Sequence, residues 1–188
     1  MVSVVVLLVT TAYVFLRLVY VAAVVRYRGR AASRVSGTRS CLPEGCSPSV
    51  DVIGCCYNES PERLRACLSA LDALAYAGRV CRYVVDDGSV NADELGPAYG
   101  EFAARPGWTV LRLERNRGKR RAQDAAFQVG DGDLVFSVDS DTVVAADSLT
   151  LLAAALGEGA VAGATGWVVP AGGGFLRWAS TVEFEVLC

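Results

Sequence analysis

Between residues 50 and 156, four short apolar runs alternate with helical patterns, and each run ends in polar residues. The run at 50–55 is of the kind found in a strand covered on both faces. Ser60-Pro61-Glu62 then reads as a helix start: a capping hydroxyl, a proline at the first helical position and an acid in the first turn. Leu64, Leu68, Leu71 and Ala75 fall on one helical face, and Gly78 is expected to close that helix. Further strands are expected at 80–85, 109–113 and 134–138, with helices at 92–104, 119–129 and 147–156. Gly96-Pro97 and Gly100 interrupt the pattern of the first of these helices. A last strand is expected at 160–169, before a flexible Gly172-Gly173-Gly174 turn. Strands alternating with helices imply an α/β fold, a largely parallel sheet with helices on both faces.

Residues 2–25 are apolar except for Arg17 and a few Thr and Tyr. That length matches the ~20 residues needed to cross a bilayer. No charge precedes the stretch and it is long for a signal peptide, so it reads as a retained anchor. Arg26, Arg28, Arg30, Arg34 and Arg39 follow it, and no acid occurs before Glu44. The positive-inside tendency then places the remainder in the cytoplasm. The expected organisation is a transmembrane anchor over 1–26, a basic juxtamembrane linker over 27–49 and an α/β portion over 50–188, a single-pass protein of the cell membrane.

After Arg39 the chain carries 12 basic against 20 acidic residues, a net charge of −8. Such a portion lacks the basic face that nucleic-acid binding needs. The chain has seven cysteines and no histidine. The missing histidine removes every Ser-His or Cys-His catalytic scheme, and the cysteine spacing supplies no all-thiolate zinc site. The thiols read as reduced, mostly small core residues.

In parallel α/β sheets ligands bind at the carboxyl ends of the strands. The first strand ends in Tyr57-Asn58-Glu59, which alone also fits a polar turn. The second ends in Asp86-Asp87-Gly88-Ser89, whose adjacent carboxylates need donors or a ligand. Asp87 can accept from a ribose hydroxyl or a base N–H, and an Asp-Gly turn is the plainer alternative. The third leads into Arg115-Asn116-Arg117-Gly118-Lys119-Arg120-Arg121, where a glycine before a helix start favours an anion. Lys119 is the only lysine, which suggests that a point charge is wanted there; a solvated basic helix end is the alternative. The fourth ends in Asp139-Ser140-Asp141-Thr142, acids at i and i+2 that can converge on one hard cation, or cap the next helix. Taken together, the four tips describe a nucleoside-diphosphate site.

From residue 50 to about 188 the chain resembles family-2 glycosyltransferases, and more narrowly the hyaluronan synthase and chitooligosaccharide synthase (nodulation N-acetylglucosaminyltransferase) group. The matching pieces are Val50-Asp51-Val52-Ile53 with Tyr57-Asn58-Glu59, Tyr83-Val84-Val85-Asp86-Asp87-Gly88-Ser89, Asn116-Arg117-Gly118-Lys119-Arg120-Arg121-Ala122-Gln123, Val138-Asp139-Ser140-Asp141-Thr142 and Ala164-Thr165-Gly166. The resemblance implies a GT-A fold holding UDP-N-acetylglucosamine. It places Asp87 on the uridine, Lys119 on the diphosphate or donor sugar, Asp141 on a Mg²⁺ or Mn²⁺ ion and Asp139 near the ribose or metal. Tyr57, Asn58, Glu59 and Arg120 complete the expected donor site. The implied reaction is inverting transfer of N-acetylglucosamine, with glucuronate as an optional second donor, onto a polysaccharide such as hyaluronan or chitooligosaccharide. The general base such transfer needs is expected beyond Cys188, so the chain is expected to carry only the donor half and to be inactive by itself. Gly174-Phe175-Leu176-Arg177-Trp178 imitates a Gln-x-x-Arg-Trp segment of the family, with glycine in place of glutamine and too early in the chain; it is taken as coincidence.

The competing class is a non-catalytic, membrane-anchored nucleotide-sugar-binding remnant. A phosphohydrolase would place its Asp-x-Asp motif on the first strand. A dehydrogenase or P-loop enzyme would need glycine spacings that are absent.

Overall fold

The computed structural model describes residues 2–37, 47–156, 163–166, 168 and 171. Two compact units are distinguished, one containing residues 1–40 and 162–188, the other residues 41–161. In the first, helix α1 spans Val2–Gly37. Its 36 residues correspond to about 54 Å of helix. Among the described residues no helix is long and apolar enough to cross a membrane.

The second unit is a four-stranded sheet made of β1 (Val50–Cys56), β2 (Val80–Asp86), β3 (Trp108–Arg112) and β4 (Leu134–Asp139), in the order β3-β2-β1-β4. Every pairing is parallel, with Val50 opposite both Val80 and Leu134 and Cys55 opposite both Val85 and Asp139. Four helices accompany it: α2 (Pro61–Asp72), α3 (Ala92–Ala103), α4 (Lys119–Phe127) and α5 (Ser148–Leu156). The expected alternation is therefore present, with strand ends shifted by a residue or so.

One face of the sheet packs Val50, Val52, Val84 and Val138 against Leu64, Leu68 and Leu71 of α2 and Leu95, Tyr99 and Phe102 of α3. The other packs Ile53, Tyr83 and Val85 against Ala122 and Ala126 of α4. Pro97 does not break α3, because Leu95, Ala98, Tyr99 and Phe102 still form one buried stripe. Tertiary burial of that stripe outweighs the local penalty of the proline.

Two expectations are corrected. Helix α2 stops at Asp72 rather than near Gly78. Asp72 accepts from Trp108 Nε1 at 2.9 Å and Arg105 Nη1 at 2.5 Å, so the chain turns there to tie α2 to β3. The strand expected at 160–169 is absent wherever that segment is described: residues 163–166 and 168 have no regular structure. Gly163 and Gly166 weaken strand formation, and β1 is the only strand paired with β4 among the described residues. The glycine run at 172–174 and the segment imitating Gln-x-x-Arg-Trp lie outside the described residues.

Candidate functional site

The strand order determines where a ligand can sit. The chain moves from β1 out to β2 and β3, then returns to place β4 on the other side of β1. The crevice outside the carboxyl ends of β1 and β4 is thus the topological switch point, where such sheets bind ligands. Tyr57, Asn58 and Glu59 lie at the tip of β1, and Asp139, Ser140 and Asp141 at the tip of β4. Lys119, the first residue of α4, reaches this crevice from the other face of the sheet: its ammonium donates to Asp139 Oδ1.

Glu59 joins the two tips. Its Oε1 accepts from Ser60 N at 2.9 Å and lies 3.5 Å from the Arg63 guanidinium. Its Oε2 accepts from Ser140 Oγ at 3.4 Å. At 14% exposure the Glu59 side chain is largely enclosed, whereas Asp139, at 61%, is open to solvent. The β4 tip is a turn closed by Thr142 N donating to Asp139 O at 3.0 Å, and the thiol of Cys67 approaches the same carbonyl at 3.5 Å. The turn holds the backbone still while leaving both aspartate side chains exposed.

The adjacent carboxylates of β2 have found donors. Asp86, fully buried, accepts from Ser89 N at 2.8 Å and lies 3.7 Å from Arg112 Nε. Asp87, 3% exposed, accepts from Arg117 N and Gly118 N, both at 2.8 Å. Both oxygens of Asp87 are thus engaged by the loop that leads into α4. Gly88 lies in the left-handed region at φ +70°, and a Cβ there would stand 2.4 Å from the Arg115 carbonyl carbon. The β2 tip and the 115–118 loop are therefore pressed together, and only glycine fits between them.

Asn58 is the one described non-glycine residue with positive φ, 54°, a conformation asparagine tolerates better than most. Its N–H donates to Ser89 Oγ at 2.9 Å and its Oδ1 accepts from Val90 N at 2.8 Å. Asn91 Nδ2 donates to Glu59 O at 2.9 Å. Of the expected site residues, Glu59, Lys119, Asp139 and Asp141 share the crevice. Asp87 and Asn58 brace its loops, while Tyr57 and Arg120 are exposed on the rim.

Ser89 and Asn91 escaped the sequence reading as loop-to-loop braces; the Asn58 and Ser89 pair shows only once β1 and β2 are neighbours. Asp51 escaped it too. It is buried in β1 and accepts from Gly132 N at 2.8 Å. A Cβ at Gly130 would come within 2.3 Å of its Oδ2. The available signal was an acid inside an apolar strand together with Gly130-Asp131-Gly132.

Burial pushes the thiol of Cys55, which lies beside Asp139 in the sheet register, up to about 11, with Lys119 opposing that rise. Cys56 is raised to about 11 and Cys67 to about 12, again by burial. All three stay protonated at neutral pH, so they are core groups rather than nucleophiles or metal ligands.

Among the described residues no group of three or more His, Cys, Asp or Glu side chains is gathered around a metal position. Asp139 and Asp141 offer hard oxygens at an exposed turn. That donor set fits Mg²⁺ or Mn²⁺ held by one or two carboxylates with a ligand's phosphates completing the shell. It does not fit a self-sufficient protein cage.

A family model described as glycosyl transferase family 2 matches residues 51–185. An N-acetylglucosaminyltransferase of Bradyrhizobium elkanii is 44% identical over 122 residues, covering 65% of this chain and 67% of that protein. One from Mesorhizobium japonicum is 48% identical over 119 residues, covering 63% of this chain but 28% of the relative. The chain thus spans about two thirds of one curated relative and little more than a quarter of the other. The crystal structure of S. aureus TarS 1-349 is similar with a TM-score of 0.48 and 25% identity, over 54% of this chain and 30% of that one.

Proposed function

We propose that this chain, which belongs to glycosyl transferase family 2, binds a UDP-sugar at the β1/β4 crevice and serves inverting transfer of N-acetylglucosamine to a growing polysaccharide. The observation that carries this reading is the linkage of Lys119 to Asp139 and of Glu59 to Ser140 at the switch point of a parallel sheet, with Asp141 next in the same β4 tip. In this GT-A-type arrangement the 115–118 loop and the start of α4 face the diphosphate. Gly118 supplies no capping side chain to α4; its own N–H is held by Asp87, and the N–H groups of the first helical turn and the helix dipole face an anion. Asp141 and Asp139 would hold Mg²⁺ or Mn²⁺. When bound, the metal supplies Lewis-acid stabilisation of the departing UDP.

Each protein group then has a defined task. Lys119 offsets phosphate charge, Glu59 fixes the β1 tip against the β4 turn, and Asp87 holds the basic loop in place. None of these residues is assigned to activating the acceptor. The relatives named N-acetylglucosaminyltransferase support that sugar over others. The test is calorimetric titration with UDP-N-acetylglucosamine, UDP-glucuronate and UDP-glucose in the presence of Mn²⁺. UDP-N-acetylglucosamine should bind tightest. Equal affinity for all three would remove the assignment of the donor sugar.

The proposal extends to residues 2–25 as a membrane anchor with the sheet unit on the cytoplasmic side, a reading that rests on the sequence, since α1 as described does not qualify as a membrane-crossing helix. Its support is sequence 2–25 and the way the helix satisfies its own polar groups. Thr10 and Thr11 donate to the carbonyls of Val6 and Leu7 at 2.7 and 2.8 Å, and Arg17 Nε donates to Tyr13 OH at 3.0 Å. Such internal pairing lowers the cost of apolar surroundings. Expressed in bacteria, the chain should remain in the membrane pellet after alkaline carbonate washing; full release to the supernatant would contradict the anchor.

A further inference from the structure

Resting on the nucleotide-sugar reading above, we propose that Lys119 is the exchangeable counter-ion of Asp139: its ammonium holds the carboxylate until a donor's diphosphate draws it away, so that metal and nucleotide enter the crevice together. The two side chains are bonded to each other, although each is suited to a different part of a metal-bound diphosphate. A carboxylate oxygen that accepts from an ammonium offers less to a divalent cation, because the cation must displace a like charge.

Three features make the exchange feasible. Lys119 and Asp139 side chains are 53% and 61% exposed, so either can swing without unpacking the core. Their backbones are held in place: Asp87 grips Arg117 N and Gly118 N immediately before Lys119, and Thr142 N closes the turn that starts at Asp139. The motion is therefore confined to one four-carbon stem. Finally, this position carries the chain's only lysine, flanked by Arg117, Arg120 and Arg121. An ammonium passes from one oxygen to another with little geometric penalty, whereas a guanidinium fork is tied to a planar, two-point contact. The uncapped start of α4, next to Lys119, gives the diphosphate a place to receive it.

The exchange makes an unusual prediction: removing a residue of the donor site should improve binding of one ligand. Lys119→Met should bind Mn²⁺ alone more tightly than the parent chain, by about fivefold, the upper end for an exposed ion pair. The same variant should bind UDP less tightly when Mn²⁺ is present. Arg121→Gln controls for simple loss of positive charge, since Arg121 lies two residues away and faces Asp124 at 3.8 Å. Free Mn²⁺ can be followed by its paramagnetic resonance signal, and UDP by calorimetry, on the full chain. A gain in Mn²⁺ affinity confined to Lys119→Met, with UDP weakened, supports the exchange. Unchanged Mn²⁺ affinity in Lys119→Met, or an equal gain in Arg121→Gln, overturns it while leaving the donor site standing if the parent binds UDP with Mn²⁺. Failure of the parent to bind UDP and Mn²⁺ together overturns the nucleotide-sugar reading and the exchange with it.

Discussion

Asp87→Ala should destabilise the sheet unit by about 2 kcal/mol, because two part-buried charge-assisted hydrogen bonds lose their acceptor, and it should also lower UDP affinity by at least about tenfold, or about 1.4 kcal/mol. The effect has two parts. Arg117 N and Gly118 N, each 2.8 Å from an Asp87 oxygen, are left without that partner. The loop they belong to then no longer holds Lys119 at a set distance from Asp139. Asp87→Asn should fall between parent and alanine: its amide oxygen can accept one of the two N–H groups, while its NH₂ faces the other donor. Gly88→Ala reaches the same outcome by steric means, since its Cβ would press on the Arg115 backbone from a left-handed conformation. Urea unfolding of the three variants gives the stability order, and calorimetry with UDP gives the affinity order. A stable Asp87→Ala variant that binds UDP normally would show that the clamp is dispensable.

To the uridine contact that the family resemblance implies for Asp87, the structure adds a second task. In the structure it serves the loop with both oxygens. Each carboxylate oxygen has more than one lone pair, so contact with a uridine and the clamp are compatible. The clamp, however, is the interaction the geometry displays.

Much of the fold could be read from the residues. The four apolar runs are short and end sharply in acids, and Ser60-Pro61-Glu62 marks a helix start with three independent signals; Ser60 Oγ does accept from Arg63 N at 3.3 Å. Most strand-end shifts are one-residue extensions of pairing, as at Cys56 opposite Asp86 and Trp108 opposite Arg82, while β3 ends one residue early, at Arg112. The strand order was not legible, since nothing local tells β4 to pair with β1 rather than β3. With it went the identity of the switch point. The pairing of Lys119 with Asp139 was hidden for the same reason: the two are 20 positions apart and meet only because α4 crosses to the opposite face of the sheet from α2 and α3. The end of α2 was misplaced because Asp72 is committed to Trp108 and Arg105, residues more than 30 positions away. In each case the missing information was tertiary, while the chemistry of the tips was already present in their side chains.

The second large effect is expected at Asp141, and it also bears most directly on the central claim. Asp141 is exposed at the β4 tip. Its nearest described polar partner is Thr142 Oγ1 at 3.5 Å, a weak contact. Asn there is close in size and keeps one oxygen, so the fold should be undisturbed. It removes the charge on which a hard cation depends. The decisive measurement is the affinity of the full chain for UDP-N-acetylglucosamine with and without Mn²⁺, in parent and Asp141→Asn forms. The parent should bind at least about tenfold tighter with the metal, a gain of about 1.4 kcal/mol, and Asp141→Asn should show no such gain. If the variant keeps the full metal-dependent gain, Asp141 is not the metal ligand and the site as described here is wrong.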